Sequence, residues 1–235
     1  MFEVVILAAG MGTRLGRPHP KPLTPLRGGQ TIMRRQVEYL RDHVGDDLRI
    51  TAVVGFKLEQ IIEASPDIGF VYNPFFDSTN TNRSLLAALR LTGASSVLWL
   101  NGDVVFDREL LTLLDGHLRA DRTFVAVNTE SVAEEEVKYT LDADGYVAQL
   151  SKTVDTSVGL GEAVGINFVS AADKAVLVSR LAECEDQDYF ERGIELAIER
   201  DGLRVEALDI SAYPCIEVDQ QEDLDRANDV LGGRA

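Results

Sequence analysis

Residues 4–16, Val-Val-Ile-Leu-Ala-Ala-Gly-Met-Gly-Thr-Arg-Leu-Gly, constrain this chain more than any other stretch. Val4 to Leu7 is a short all-apolar run, the mark of a strand buried on both faces of a sheet. The side chains then shrink to Ala8, Ala9 and Gly10. Small residues let backbone N–H groups approach a ligand, and successive N–H groups in a turn form an anion-binding nest. Arg14 adds a fork-shaped donor, and Lys21 adds a point charge further on. A glycine-rich turn and two cations directly after a buried strand read as a cradle for a triphosphate.

The rest of the chain alternates apolar runs with helical patterns, which predicts an α/β fold on a mainly parallel sheet. Strands are expected at 3–7, 50–55, 69–72, 96–100, 123–128, 137–141, 146–150, 163–169 and 203–210. Helices are expected at 31–44, 57–63, 80–92, 107–119, 171–181, 188–200 and 220–231. The second strand ends at Gly55 with no acid beside it. A dinucleotide-binding fold wants Asp or Glu about 20 residues past its glycine loop. The loop itself misses G-x-G-x-x-G by one position. Both departures count against an NAD enzyme.

No apolar run approaches the ~18 residues of a membrane span, and no basic-then-apolar leader is present. Cys184 and Cys215 lack C-x-x-C spacing, which argues against a disulfide scaffold or a structural zinc site, so the cytoplasm is the expected location. The formal net charge is −16, a surface that repels nucleic acid. Anionic substrates must then be drawn in locally, and Arg14, Arg17, Lys21 and Arg27 form such a cluster.

Val97–Asp103 is a buried strand ending in a polar turn. A carboxylate just past the C-terminal end of a parallel strand stands where open α/β sheets bind ligands, and hard carboxylate oxygens suit Mg²⁺. The lesser alternative is that Asp103 caps a helix starting near Asp107. In the extended segment 216–219, Glu217 and Asp219 point to the same side, within reach of one cation. Asp219 also suits the N-cap of the last helix, with Glu222 and Asp223 as solvated first-turn acids. Asn80 or Asn82 suits the N-cap of the helix after the polar loop 73–82. Asp142-Ala143-Asp144-Gly145 between two alternating runs signals a hairpin from which Lys138 and Lys152 emerge. Either lysine fits an edge-strand gatekeeper as well as a ligand contact.

The string A-A-G-x-G-T-R-L followed by Pro20-Lys21-Pro22-Leu23 resembles the sugar-nucleotide pyrophosphorylase and cytidylyltransferase superfamily of nucleotidyltransferases. Two further patterns, N-P-x-x-x-x-T-N with S-L and V-K…L-S-K…G-E-x-V-G-I, are most like its phosphocholine-type and phosphonate-type cytidylyltransferases. The resemblance implies one three-layer Rossmann-like domain over 1–235, with a mixed, mainly parallel sheet. Residues 1–130 are then mainly NTP-binding, 131–170 an acceptor-binding hairpin region, and 171–235 the C-terminal helices with the second metal-ligand segment.

It also implies transfer of CMP from CTP to a small phosphate or phosphonate monoester, with release of pyrophosphate. Leu7, Ala8, Ala9, Gly10, Met11, Gly12 and Thr13 then hold the nucleotide, with Asn80 and Ser84 at the base. Arg14 and Lys21 are the catalytic cations. Asp103, Glu217 and Asp219 hold Mg²⁺, and Lys138, Lys152 and Glu162 meet the acceptor. The acceptor stays open among phosphocholine, an aminoalkylphosphonate, a polyol phosphate and a sugar phosphate. Tyr139, Tyr189, Phe190 and Tyr213 are aromatic candidates for a quaternary ammonium. The alternatives are a sugar-1-phosphate enzyme using UTP, dTTP or GTP, and a non-catalytic nucleotide sensor. Retention of both cations and all three acids disfavours the sensor.

Overall fold

In the computed structural model, which describes residues 2–231, the first strand, β1 (Phe2–Ala8), is buried on both faces. Val4, Ile6 and Ala8 enter one hydrophobic cluster, while Val5, Leu7 and the adjoining Ala9 enter another. That period-2 division makes β1 the middle of a three-layer sandwich. Around it lie β2 (Ile50–Val54), β3 (Gly69–Tyr72), β4 (Ser96–Asn101), β6 (Phe124–Asn128), β9 (Glu162–Val169) and β10 (Glu206–Asp209), with β5 introduced below. The sheet order is β10-β6-β9-β4-β1-β2-β3. β1 runs parallel to β2 and β4, and β9 runs antiparallel between β4 and β6. The hairpin of β7 (Lys138–Leu141) and β8 (Val147–Ser151) joins at Lys138 opposite Glu162, completing nine strands among the described residues.

Helices α1 (Ile32–Val44) and α4 (Leu110–Ala120) supply Met33, Val37, Leu40, Leu110 and Leu114 to the first cluster. Helices α3 (Thr81–Leu89), α5 (Lys174–Glu183) and α6 (Phe190–Asp201) supply Leu85, Leu181, Phe190 and Ile194 to the second. The short α2 (Leu58–Ala64) buries Ile61. Helix α7 (Gln221–Leu231) closes a third cluster of Leu26, Ile32, Val105, Ile216, Val218, Leu224 and Ala227. The expected mainly parallel three-layer sheet is the one observed. No helix among the described residues is long and apolar enough to cross a membrane.

The structure adds a small antiparallel sheet of β5 (Val104–Phe106) and β11 (Cys215–Glu217). Three-residue strands are too short to show alternation. A buried glutamine supports the turn leading into β5: Gln36 Nε2 donates to the carbonyls of Asn101 at 2.9 Å and Val104 at 2.7 Å.

Candidate active site

The first loop leaves β1 at the C-terminal edge of the sheet. Gly12 has φ +58°, and a Cβ there would lie 2.6 Å from Lys21 Cγ, so only glycine lets the lysine stem fold beneath the loop. A cleft of ≈ 210 Å³ opens above, lined by Leu7, Ala8, Ala9, Gly10, Gly12, Lys21, Asn80, Ser84, Asn101 and Asp103 among others. Seven of the nine residues expected at the nucleotide therefore share one wall. Met11 is not among them and is 44% exposed. Thr13 begins the 3₁₀ turn Thr13–Leu15, its side chain lying outside the described set. Asn80 is the N-cap of α3, accepting from Thr81 N at 2.8 Å, while Asn82 is buried and donates to Glu185 O. Ser84 Oγ accepts from Asn73 at 3.1 Å.

The acids converge through strand pairing. Glu217 of β11 lies opposite Val104 of β5, and Val218 N donates to Asp103 O at 3.0 Å. Oxygen atoms of Asp103, Glu217 and Asp219 all lie within 4.8 Å of one another. Lys21 Nζ donates to Asp103 at 3.1 Å and to Asp219, and Arg14 donates to Asp219 at 2.9 Å. Gly102 makes the turn possible: its N–H donates to Leu7 O at 2.9 Å, and a Cβ there would lie 2.8 Å from that oxygen.

The charges do not balance. Burial, then the Asp103, Asp219 and Glu136 charges, push Glu217 well above the usual carboxylate range. Burial also raises Asp103 against the pull of Lys21. Burial opposes ionisation of Asp219 too, but its hydrogen bonds and charge contacts with Lys21 and Arg14 win and hold it below the usual range. Lys21 is raised despite burial, because Asp103 and Asp219 face it. Three converging carboxyls with a surplus of negative charge are a hard-oxygen donor set that fits a divalent cation such as Mg²⁺.

Two cap assignments differ from expectation. Asp223, expected in solvent, accepts from Asp219 N and Gln220 N, at 3.1 and 2.9 Å. It therefore caps α7 and frees the Asp219 carboxyl for the cations. Asp107, not Asp103, accepts from Glu109 N ahead of α4. Arg17 and Arg27, expected in the cationic cluster, reach Gln221 and Asp229 of α7 instead.

A second cavity of ≈ 220 Å³ shares Thr81, Asn101 and Glu217 with the first, so the two meet at those residues. Its walls include Arg14, Glu136, Lys152, Tyr189, Phe190, Glu191 and Asp219. Lys152 Nζ stands 4.9 Å over the Tyr189 ring.

Lys138, expected at the acceptor, is not in this cavity. It is 1% exposed, and its ammonium donates to the carbonyls of Ala133, Glu134, Glu136 and Lys152. It ties the 133–136 loop to the hairpin. Glu162 accepts from Ala133 N and lines a neighbouring, larger cavity with Tyr213. Tyr139 is buried in the second core cluster.

Sequence reasoning missed Glu191, Glu136 and Asn101. Asn101 Oδ1 is buried without a hydrogen-bond partner where the cavities meet. Glu191 follows Phe190, whose ring meets Trp99 edge-on at 5.6 Å and whose N–H donates to Thr81 Oγ1 at 3.1 Å. That anchor fixes the α6 N-terminus against the cavity. The helical pattern of 188–200 and the aromatic candidates Tyr189 and Phe190 were visible beforehand, and neither points to Glu191 beside them.

The family described as the MobA-like NTP transferase domain matches residues 4–188. The CMP-5'-(3-aminopropyl)phosphonate synthase of Streptomyces rubellomurinus is 35% identical over 152 residues, 61% of this chain and 23% of that protein. The bifunctional protein GlmU of Pseudomonas fluorescens is 30% identical over 213 residues, 87% of this chain and 46% of that protein. The chain thus spans less than half the length of these two relatives. Among solved structures, the CTP:phosphocholine cytidylyltransferase of Streptococcus pneumoniae aligns with TM-score 0.73 and 21% identity, over 98% of this chain and 99% of that one. The inositol-1-phosphate CTP transferase of T. maritima aligns with TM-score 0.77 and 16% identity, over 100% and 98%. At those identities the two structures establish the fold alone.

Proposed function

The chain belongs to the MobA-like NTP transferase family and is a nucleotidyltransferase, and on that footing we propose that it transfers CMP from CTP to a small phosphate or phosphonate monoester and releases pyrophosphate. The observation that carries this reading is the meeting of two cavities at Thr81, Asn101 and Glu217, beside Lys21, Arg14 and the three acids. One cavity follows the glycine loop and suits the NTP. The other suits the acceptor. The cytidylyl choice is supported by similarity to a protein named as a CMP-phosphonate synthase.

An acceptor oxygen attacks the α-phosphorus in line, and pyrophosphate leaves opposite. A phosphate or phosphonate oxygen is already anionic, so no general base is needed. The cost lies in gathering anions, and catalysis is positioning with charge neutralisation. Backbone N–H groups of residues 10–13 and the Arg14 guanidinium hold the β- and γ-phosphates. Lys21, beneath the loop, neutralises charge growing on the transferred phosphate. Lys152 holds the anionic end of the acceptor. Asp103, Glu217 and Asp219 would hold Mg²⁺, which supplies further neutralisation and orients phosphate oxygens. Residues 1–130 mainly bind the NTP, while the acceptor cavity draws on both 131–170 and the start of α6.

Pyrophosphate release from CTP, UTP, dTTP, GTP and ATP, each with a panel of phosphate and phosphonate acceptors, tests the proposal. CTP leads in kcat/KM, and EDTA abolishes turnover. A preference above about tenfold for another nucleotide, about 1.4 kcal/mol in the barrier, overturns the cytidylyl assignment. The GlmU matches favour a second reading, transfer from UTP, dTTP or GTP to a sugar-1-phosphate. The same panel with sugar-1-phosphates separates the two.

A further inference from the structure

Two residues lining the acceptor cavity carry a buried oxygen without a hydrogen-bond partner: Asn101, where the two cavities meet, and Glu191, away from that junction. Glu191 is only 9% exposed, and its Oε2 is buried with no hydrogen-bond partner. Glu191 is one of the residues lining the cavity, on a helix turn fixed by Phe190. Burial pushes it up to about 7, against the pull of the nearby Lys152 charge. The Lys152 ammonium itself stands over the Tyr189 ring. A buried acceptor without a donor is costly to the fold, and such a group calls for a function.

Resting on the cytidylyl-transfer reading, we propose that Glu191 accepts a hydrogen bond from a primary ammonium on the acceptor, which makes the acceptor an aminoalkyl phosphate or phosphonate whose anionic end meets Lys152. A quaternary ammonium has no N–H and leaves Oε2 as it is. The Tyr189 face that would attract it already carries Lys152. A hydroxyl can donate, but it brings no charge. Glu135, Glu136 and Glu191 line the same cavity and favour a cation there. A bound ammonium restores the ionised form of Glu191 and gives Oε2 a charge-assisted partner.

The test uses the full chain with Mg²⁺ and a non-cleavable α,β-methylene CTP analogue. Calorimetric titration compares 2-aminoethylphosphonate, 2-hydroxyethylphosphonate and phosphocholine. The amine binds tighter than its hydroxyl counterpart by on the order of 10- to 100-fold, the range of one charge-assisted hydrogen bond. Glu191→Gln removes most of that ratio and leaves the KM for CTP unchanged. Equal affinity for amine and hydroxyl, tightest binding of phosphocholine, an equal loss for all three ligands in the variant, or binding of none overturns the proposal. If the variant fails to fold, the parent's amine-to-hydroxyl ratio decides alone. Pyrophosphate release from UTP or dTTP with a sugar-1-phosphate overturns the cytidylyl reading instead, and the ligand ratio still judges Glu191 separately.

Discussion

Lys21→Met isolates the ammonium at the centre of the acid cluster. The lysine stem packs under Gly12, and methionine keeps most of that bulk. What is lost is two charge-assisted hydrogen bonds, to Asp103 and Asp219. At about 1.5–3 kcal/mol each, the gross loss is about 3–6 kcal/mol. Two features of the site reduce it. Burial raises Asp103 and pushes Glu217 well above the usual carboxylate range, which eases the repulsion left when the ammonium is removed. Asp219 keeps its bond to Arg14. A net loss of about 2 kcal/mol remains, about 4–8 °C in Tm for a chain of this size.

The sign of the pH dependence follows from the same groups. In the parent, Asp219 is depressed, so its contribution is present above its unfolded pKa and is lost as pH falls through the folded value. Lys21 is raised, so its contribution is present below its unfolded pKa and is lost only as pH rises through the folded value. Asp103 and Glu217 are raised, and the cost of ionising them is relieved as pH falls. Removing the ammonium raises all three acids. The gap between parent and variant is therefore widest at neutral pH and narrows at acid pH, as these acids take up protons.

Thermal melts in EDTA at both pH values read this directly. Adding Mg²⁺ raises the Tm of the variant more than that of the parent, because the Lys21 ammonium no longer competes for Asp103 and Asp219. In the same preparations kcat falls by about 10²-fold or more, as expected for a charge acting on the transition state. Equal melting temperatures in EDTA near neutral pH, or an undiminished kcat, would refute this account of Lys21.

Asp103→Asn and Asp219→Asn each lower kcat by about 10²–10³-fold and weaken Mg²⁺ activation. The double variant falls far short of the summed loss in free energy, because both acids serve one site; additive losses in a kinetic cycle would separate them. Lys138→Met lowers stability by about 1–3 kcal/mol, because it leaves partly buried carbonyls without their donor, read by denaturant unfolding, without changing the acceptor KM. Lys152→Ala does the opposite, raising the acceptor KM by about tenfold or more while stability shifts by less than about 1 kcal/mol. Gly102→Ala forces a Cβ to 2.8 Å from Leu7 O and from Pro22 Cγ. It should lower both Tm and kcat, and a variant that melts normally and turns over normally shows the turn to be slack.

What the sequence made legible was what local chemistry dictates. Val4–Leu7 read as a buried strand, which β1 is, and the small residues after it read as a close approach of backbone. Seven of the nine residues expected at the nucleotide line the cleft beside them. Asp103, Glu217 and Asp219 were visible as acids at the ends of extended segments, and they do converge. The means of convergence was not visible. It depends on β5 and β11, three residues each, pairing across the chain, and on Gln36 holding the turn before β5.

Lysines 138 and 152 show the limit most sharply. Both leave the same hairpin, and their neighbours in sequence do not distinguish them. The difference lies in which face of the hairpin meets the 133–136 loop. Lys138 points into that loop and finds three of its carbonyls, with that of Lys152 as a fourth, whereas the Lys152 side chain lines the other cavity and finds Tyr189. A buried ammonium surrounded by carbonyls is a satisfied structural group. Glu191 is buried to a similar degree, but one of its oxygens has no partner. Burial alone therefore does not separate structural charges from functional ones; the completeness of the hydrogen-bond complement does, and only coordinates supply it.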